Sequence, residues 1–288
     1  MSSNLVIPIV FNGLSLSAIY ILVALGFTLV FGIMRVINFA HGEFAMMGGF
    51  ALFICYVQLG LPYWLALPLV VPTVGLIGLV AERIVFRPLY GQELPAMIAG
   101  LGLSVALADG AVVVFDVHQR NIPSPFDDIL TVSGFTFPED RVIVMGIAVA
   151  ALIAFWLFIQ FTSIGLALRT VAQDREMAEA QGIDTSATYR ITFFLATAMA
   201  GLAGALFAQI YALSPYMGLV PLVKAFTIVI IGGLGSIAGA ALGGILLGMS
   251  ESFLNTFYGA SVAQFASFGA IMLLLILRPW GLLGRPEV

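Results

Sequence analysis

The sequence has very little charge, and this scarcity excludes most classes of soluble protein. Only 9% of its 288 residues are Asp, Glu, Lys or Arg, whereas 61% are hydrophobic and the mean hydropathy is +1.11. An average soluble domain is about 25% charged. A chain this apolar cannot cover its own surface with polar groups, so neither a soluble globular protein nor a disordered one fits. The composition predicts a polytopic protein whose mass lies mostly in membrane lipid.

Residues that carry common chemistry are also scarce. The single cysteine, Cys55, excludes an internal disulfide framework and a cysteine-based zinc cage. The two histidines, His41 and His118, lie far apart, and the only lysine, Lys224, lacks the preceding glycines of a P-loop. A net charge of -4 with scattered basic residues argues against nucleic-acid binding. These absences predict a transport component that is not an enzyme, binds no cofactor or metal, and takes its energy from elsewhere.

Long apolar stretches account for most of the chain. A helix crosses the hydrocarbon core in about 20 apolar residues. Candidate stretches occupy residues 5–34, 44–59, 62–81, 96–115, 142–161, 191–213, 225–257 and 262–277. Glycines interrupt residues 225–257, which favours two crossings, the first unusually short, over one crossing with a re-entrant dip. The predicted fold class is an all-α polytopic transmembrane bundle, a single domain over residues 1–288, with eight or nine crossings and at least one broken or short.

Small residues recur at a spacing of four within two of these stretches. Because lipid offers no hydrophobic drive for helix association, small residues that let backbones approach are typical of helix contacts. The pattern predicts close packing inside the bundle, with a subunit interface as the alternative. The two rows consist of Ala196, Ala200, Gly204 and Ala208, and of Gly235, Gly239 and Gly243.

The distribution of basic residues predicts the orientation. Short loops rich in Lys and Arg lie on the cytoplasmic side, which here places the N-terminus outside and the C-terminus inside. The acidic segment of about residues 116–141 is predicted to be an extracytoplasmic loop. Over residues 116–140 its charged residues are Asp116, Asp127, Asp128, Glu139 and Asp140, against Arg120. The predicted cytoplasmic residues are Arg83, Arg87, Arg169, Arg175, Arg190, Arg278 and Arg285.

Two polar or glycine-rich segments interrupt the apolar pattern. The first contains Asn38, His41 and Glu43, and it is either a turn with a capped helix or a lining of the transport path. In the second interpretation Asn38 and His41 present polar groups and Glu43 holds the helix start. The second segment is a broken helix at a solute site or a point of close helix packing. It consists of Gly232, Gly233, Gly235 and Ser236.

A third segment is the predicted cytoplasmic loop of about residues 162–189. Residues 172–181 are rich in helix formers and Gly182 is a good C-cap, so one short helix is predicted there. Small Ala172 and Ala178 would permit close approach of a soluble partner. The alternative is an ordinary solvated surface helix.

Four blocks of sequence together resemble one family. They are Asn-Phe-Ala-His-Gly-Glu-Phe at residues 38–44, the loop at residues 169–184, residues 231–239, and Arg-Pro-Trp-Gly-Leu-Leu-Gly at residues 278–284. In this order they resemble the permeases of branched-chain amino acid ABC importers, the LIV type, and specifically the shorter of the two permease subunits. The resemblance covers nearly the whole chain. Within the loop, Ala172, Ala178, Gly182 and Asp184 stand in matching places.

The resemblance implies an assembly in a bacterial inner membrane. Its expected partners are a second related permease subunit, two cytoplasmic ATPase subunits that bind ATP and Mg, and a periplasmic solute-binding protein. The loop is expected to couple the permease to the ATPases. Its expected coupling residues are Arg169, Ala172, Asp174, Arg175, Glu176, Ala178, Gly182 and Asp184.

The resemblance implies a branched-chain or other neutral amino acid as cargo, and the few fixed charges of the predicted path favour a neutral or zwitterionic solute. Urea, short amides and aromatic acids remain alternatives, since relatives differ in cargo. An alternative of another class is a secondary transporter or channel that acts alone. That alternative would need buried ionisable groups, for which Asp109 and Glu251 are the candidates.

Overall fold

The computed structural model describes residues 3–126, 128–132, 135–278 and 280–283. Asp127 of the acidic segment lies outside the described residues, as do Pro279, Gly284 and Arg285 of the C-terminal segment.

The described chain is a bundle of helices. In chain order these are α1 (Ser3–Met34), α2 (His41–Leu52), α3 (Tyr63–Ala81), α4 (Glu93–Phe115), α5 (Glu139–Phe161), α6 (Ser163–Gln173), α7 (Arg175–Ala180), α8 (Thr185–Ile210), α9 (Leu219–Gly232), α10 (Ile237–Tyr258) and α11 (Ala260–Leu277). π-Helical turns prolong α2 over Phe53–Gln58 and α3 over Glu82–Phe86, and a 3-10 turn follows at Arg87–Leu89.

The all-α polytopic fold class is confirmed. Six of the described helices are long and apolar enough to cross a membrane, and α9 is a shorter apolar helix. The other apolar segments in the predicted count of eight or nine are α2 and α11. The predicted break also lies where the glycines indicated, because α9 ends at Gly232 and α10 begins at Ile237.

A short β-hairpin is the exception to the all-helical pattern. Strands β1 (Ile129–Val132) and β2 (Phe135–Pro138) pair antiparallel within the acidic segment. Helix α5 then begins at Glu139, so Glu139 and Asp140 belong to its first turn, where a carboxylate stabilises a helix, rather than to the loop. The end of the bundle that carries this hairpin is called the hairpin end below, and the end that carries α6 and α7 is called the loop end.

Helices α1 and α8 form the centre of the bundle. Within the most apolar stretch of each helix, the buried share of the residues is 83% in α1 and 78% in α8, but only 6% in α4. Helix α1 contacts α5, α8, α9 and α10, and α8 contacts α2 and α3. Almost every side chain of α1 between residues 18 and 30 is therefore surrounded by protein, and α4 lies at the outside of the isolated chain.

Glycine and alanine allow these central helices to touch along their backbones. The predicted row Ala196, Ala200, Gly204 and Ala208 is entirely buried on α8. A Cβ atom at Gly204 would overlap the backbone of Ala45 in α2, and one at Gly48 would overlap the backbone of Gly201. The second predicted row is interrupted, because Gly235 lies in the turn before α10.

We predict that Gly204→Leu destabilises the folded protein strongly, because the added side chain must separate α2 from α8. Overpacking of this kind costs about 1–3 kcal/mol or more. Gly102→Leu is the matched control, since in the described part of the chain nothing lies within 4 Å of a Cβ built there. Thermal unfolding in detergent measures both; equal melting temperatures for the two variants would contradict the proposed backbone contact.

Candidate translocation and coupling sites

The link between α1 and α2 carries its polar side chains into the bundle. Arg35 adopts a positive φ of 53° directly after α1 ends, and α2 begins at His41. Asn38, His41 and Glu43 are 1%, 0% and 6% exposed. The Oδ1 atom of Asn38 accepts a hydrogen bond of 3.0 Å from the N–H of Ala40, which fixes the turn.

His41 and Glu43 contact different neighbours. The Nε2 atom of His41 lies 3.0 Å from the carbonyl oxygen of Val23 in α1, which accepts its hydrogen bond. The hydroxyl of Ser104 in α4 donates to Oε1 of Glu43 at 3.2 Å. Glu43 lies in the first turn of α2, as predicted, and its carboxylate also faces Gly218 at the start of α9.

Each of these three side chains keeps one buried polar atom without a partner among the described residues. The atoms are Nδ2 of Asn38, Nδ1 of His41 and Oε2 of Glu43. An unsatisfied buried polar group costs about 1–3 kcal/mol. The three side chains are buried in the protein interior, and their predicted place in the path stays a prediction.

The glycine cluster is a tightly packed turn at the other end of α9. Gly233 and Gly235 have φ values of 104° and 80°, which glycine tolerates best. Ser236 caps α10, because its Oγ accepts a 3.0 Å hydrogen bond from the N–H of Gly239. The backbones of Gly232 and Gly239 leave no room for a Cβ between them. In the structure this turn is therefore a point of close helix packing, which is one of the two predicted interpretations.

The C-terminal segment completes this turn. The N–H groups of Leu282 and Leu283 donate to the carbonyl oxygens of Ile231 and Gly232 at 2.8 and 3.0 Å. Glu43 faces the start of α9 and the glycine cluster forms its end, and 14 helical residues place these two ends about 20 Å apart.

The loop end contains two short helices where one was predicted. The prediction of a single helix over residues 172–181 is wrong, because Asp174 ends α6 and caps α7. The Oδ1 atom of Asp174 accepts from the N–H of Met177 at 3.0 Å, and Gly182 follows α7 with a positive φ of 84°, as its predicted capping role requires. Asp184 caps α8 in the same way through the N–H of Ala187.

Side-chain contacts hold α7 in place. The guanidinium of Arg175 lies 3.0 Å from the Glu179 carboxylate, which also accepts a 2.8 Å hydrogen bond from Thr185. The hydrogen bond from Arg175, followed by the one from Thr185, lowers the pKa of Glu179. The folded loop therefore keeps Glu179 ionised to lower pH than an isolated glutamate.

The exposed face of the loop differs from the predicted one. Ala178 is 0% exposed and packs inward, so the expectation that it offers a partner close approach is wrong. Ala172, Asp174 and Glu176 are exposed, and Met177 is 59% exposed. Arg169 is occupied within the chain, where it donates to Gln160. Helix α7 is too short for its sequence pattern to predict which of its faces packs against the bundle.

The structure contains an ion pair between α9 and α10 that was not predicted from the sequence. The Nζ atom of Lys224 lies 2.8 Å from Oε2 of Glu251, and the side chains are only 8% and 17% exposed. The signal was present in the sequence, since the only lysine and one glutamate stand in consecutive apolar helices. Asp109 differs, because it lies exposed on the outer helix α4. In the described residues no three His, Cys, Asp or Glu side chains are placed to hold a metal ion.

Comparisons with known proteins agree with this architecture. Residues 9–277 match a family model described as "Branched-chain amino acid transport system / permease component". The chain is 33% identical to the high-affinity branched-chain amino acid transport system permease protein LivH of Salmonella typhimurium, over 96% of this chain and 95% of that protein. It is 25% identical to the LivM permease of Escherichia coli, of which it covers 70%.

A solved structure supports the fold alone. PsaBC from Streptococcus pneumoniae in complex with Fab has a TM-score of 0.52 and 15% identity, and the match covers 93% of this chain and 91% of that chain. The resemblance to the shorter of two related permeases is confirmed, because the match covers 95% of LivH but only 70% of LivM.

We predict that breaking one side of the ion pair is worse than removing both charges. Lys224→Met leaves Glu251 unpaired in an apolar bundle, which costs about 3–5 kcal/mol, whereas an apolar replacement of both partners is often nearly neutral. Thermal unfolding should thus rank Lys224→Met below the double variant Lys224→Met/Glu251→Leu. A double variant at least as unstable as the single one would show that the charge pair itself stabilises the bundle.

Proposed function

Because this chain belongs to the family of branched-chain amino acid transport system permease components, we propose that it is the permease subunit of an ATP-driven ABC importer. It moves branched-chain or other neutral amino acids across the inner membrane. The family match over residues 9–277 carries this proposal. The chain itself is a multi-pass inner-membrane transport subunit and not a catalytic enzyme.

The proposed importer contains further subunits. A second, related permease completes the membrane core, as the paired names LivH and LivM suggest. The surface of α4 supports a protein neighbour, because this helix is largely uncovered and carries the exposed Asp109, whose carboxylate would be costly against lipid. Two cytoplasmic ATPase subunits bind ATP and Mg, and a periplasmic binding protein delivers the solute.

The exposed face of α6 and α7 is the proposed ATPase contact. Asp174, Arg175 and Glu176 supply polar groups at its rim, and Met177 supplies an apolar, deformable side chain at its centre. Ala178 contributes from inside, since it lets α7 lie close against the bundle.

Residues 38–43 are the better supported of the two path segments. Their three unpartnered polar atoms would gain water or solute as partners if the contact between Glu43 and Ser104 opened. The glycine cluster is instead filled by the C-terminal segment, which supports a packing role for Gly232, Gly233, Gly235 and Ser236.

A neutral cargo fits the charges near these residues. Glu43 is the only ionisable residue of the proposed path segment besides His41, so a strongly charged solute would find little compensation there. The secondary transporter alternative loses a candidate ion site, because Glu251 already has Lys224 as its partner.

The test of this function is uptake by the reconstituted assembly. Uptake should require ATP and the ATPase subunits, and solute uptake by the purified chain alone would overturn the proposal. Met177→Arg should abolish co-purification of the ATPase and uptake, because it places a charge at the centre of the proposed contact. Val117→Arg is the matched control at the hairpin end, with 52% exposure against 59%, and it should retain the ATPase.

We expect Glu43→Gln, Asn38→Ala and His41→Ala to lose most uptake at near-normal membrane insertion. The loss of a charge in the first helical turn is worth only about 0.3–1 kcal/mol, too little to unfold such a bundle. A purely structural Glu43 would therefore tolerate glutamine. Uptake per inserted protein, with ATPase activity recorded alongside, is the measurement; three variants that transport like the parent would make this segment a turn and no more.

A further inference from the structure

A polar cavity lies at the hairpin end of the bundle. Its volume is about 190 Å³, and it lies between α1, α5, α8 and α10. A binding pocket for a drug-sized molecule has roughly 300–1,000 Å³, so this one suits a smaller molecule. Its polar lining comprises Asn12, Ser15, Arg141, Tyr211, Ser252, Asn255 and Thr256.

One lining side chain is buried and unsatisfied. Ser15 is 2% exposed, and its Oγ atom has no hydrogen-bond partner within the described ranges. Other serine and threonine hydroxyls of this bundle donate to a carbonyl oxygen one turn earlier, as Ser17 does to Gly13 at 2.7 Å. Ser15 thus offers a donor and an acceptor to whatever fills the cavity.

The cavity carries a net positive charge. Arg141 is the one ionised side chain in the described lining, and no carboxylate lies there. Its Nη1 atom donates to Oδ1 of Asn12 at 2.7 Å, which fixes the guanidinium while leaving its other N–H groups for a ligand. A guanidinium of this kind binds a carboxylate through paired hydrogen bonds.

The surroundings also suit the rest of an amino acid. The hydroxyl oxygen of Thr256 can accept from an ammonium group, and Leu16 and Ile210 supply apolar contacts for a short side chain. Tyr211 also lines the cavity, and burial, followed by the charge of Glu251, raises the pKa of its hydroxyl.

We propose that this cavity binds the carboxylate of a small zwitterionic amino acid through Arg141, with Asn12 as the positioning residue and Ser15 as a hydrogen-bond partner. The site lies within one permease chain, and it would hold solute where the solute enters from the hairpin end. This inference rests on the proposed function for the identity of the solute, but not for the charge and size of the ligand.

Cysteine modification tests the site without transport. Cys55→Ser removes the single native cysteine, and Asn255→Cys then places an exposed thiol at the cavity. The rate of a negatively charged methanethiosulfonate relative to a positively charged one should be about fifteenfold higher than after Arg141→Gln. One unit charge a few ångströms away in water changes each rate about fourfold, and it changes the two rates in opposite directions. Equal ratios with and without Arg141 would show that its charge does not act on the cavity and would overturn the proposal.

The ligand is tested on the same variant, with leucine and leucinamide as probes. Millimolar leucine should slow modification at Asn255→Cys, and leucinamide, which lacks the carboxylate, should not. Val117→Cys is the control, since Val117 is exposed at the hairpin end and does not line the cavity. The proposal fails if leucine gives no protection or if protection persists in Arg141→Gln. Protection together with ATP-independent uptake would instead overturn the proposed function and leave the site standing.

Discussion

Backbone contact between α8 and its neighbours is the constraint on which the rest of the bundle depends. In lipid, helices gain little from burying apolar side chains, so they associate where small residues let their atoms come close. Gly201 and Gly204 bring α8 against α2, and α8 in turn packs on α1 and α3. Because α2 starts within the bundle rather than at its surface, this same contact fixes the depth at which His41 and Glu43 lie.

The buried polar groups of the bundle form separate sets, which differ in how far their hydrogen bonds are satisfied. Lys224 and Glu251 satisfy one another and join α9 to α10. Asn38, His41 and Glu43 are held by the backbone and by Ser104 but remain incompletely satisfied. Arg141 and Ser15 face a cavity. Buried polar groups that lack partners are costly and are therefore typical of functional positions, whereas a satisfied pair needs only a structural explanation.

Much of the fold could be predicted from the sequence because apolar run length and glycine position are local signals. They located the helices, the break before Ser236 and the inward row on α8. They could not show that Asp174 divides the loop helix, since a residue that caps one helix can equally stand inside another. Nor could they show that Ala178 points inward, that Lys224 meets Glu251, or that Arg141 reaches Asn12, because such contacts join residues far apart in the chain.

The hydrogen bonds from Leu282 and Leu283 to the end of α9 have a consequence for biosynthesis. The carbonyl oxygens of Ile231 and Gly232 accept hydrogen bonds from N–H groups that are synthesised some fifty residues later. During translation α9 is therefore inserted before these two hydrogen bonds can form, next to the turn in which Gly233 and Gly235 adopt positive φ. The last turn of α9 can reach its final order only after residues 280–283 have left the ribosome and α10 and α11 are already in place. Completion of the last turn of α9 is thus a late, post-insertion step.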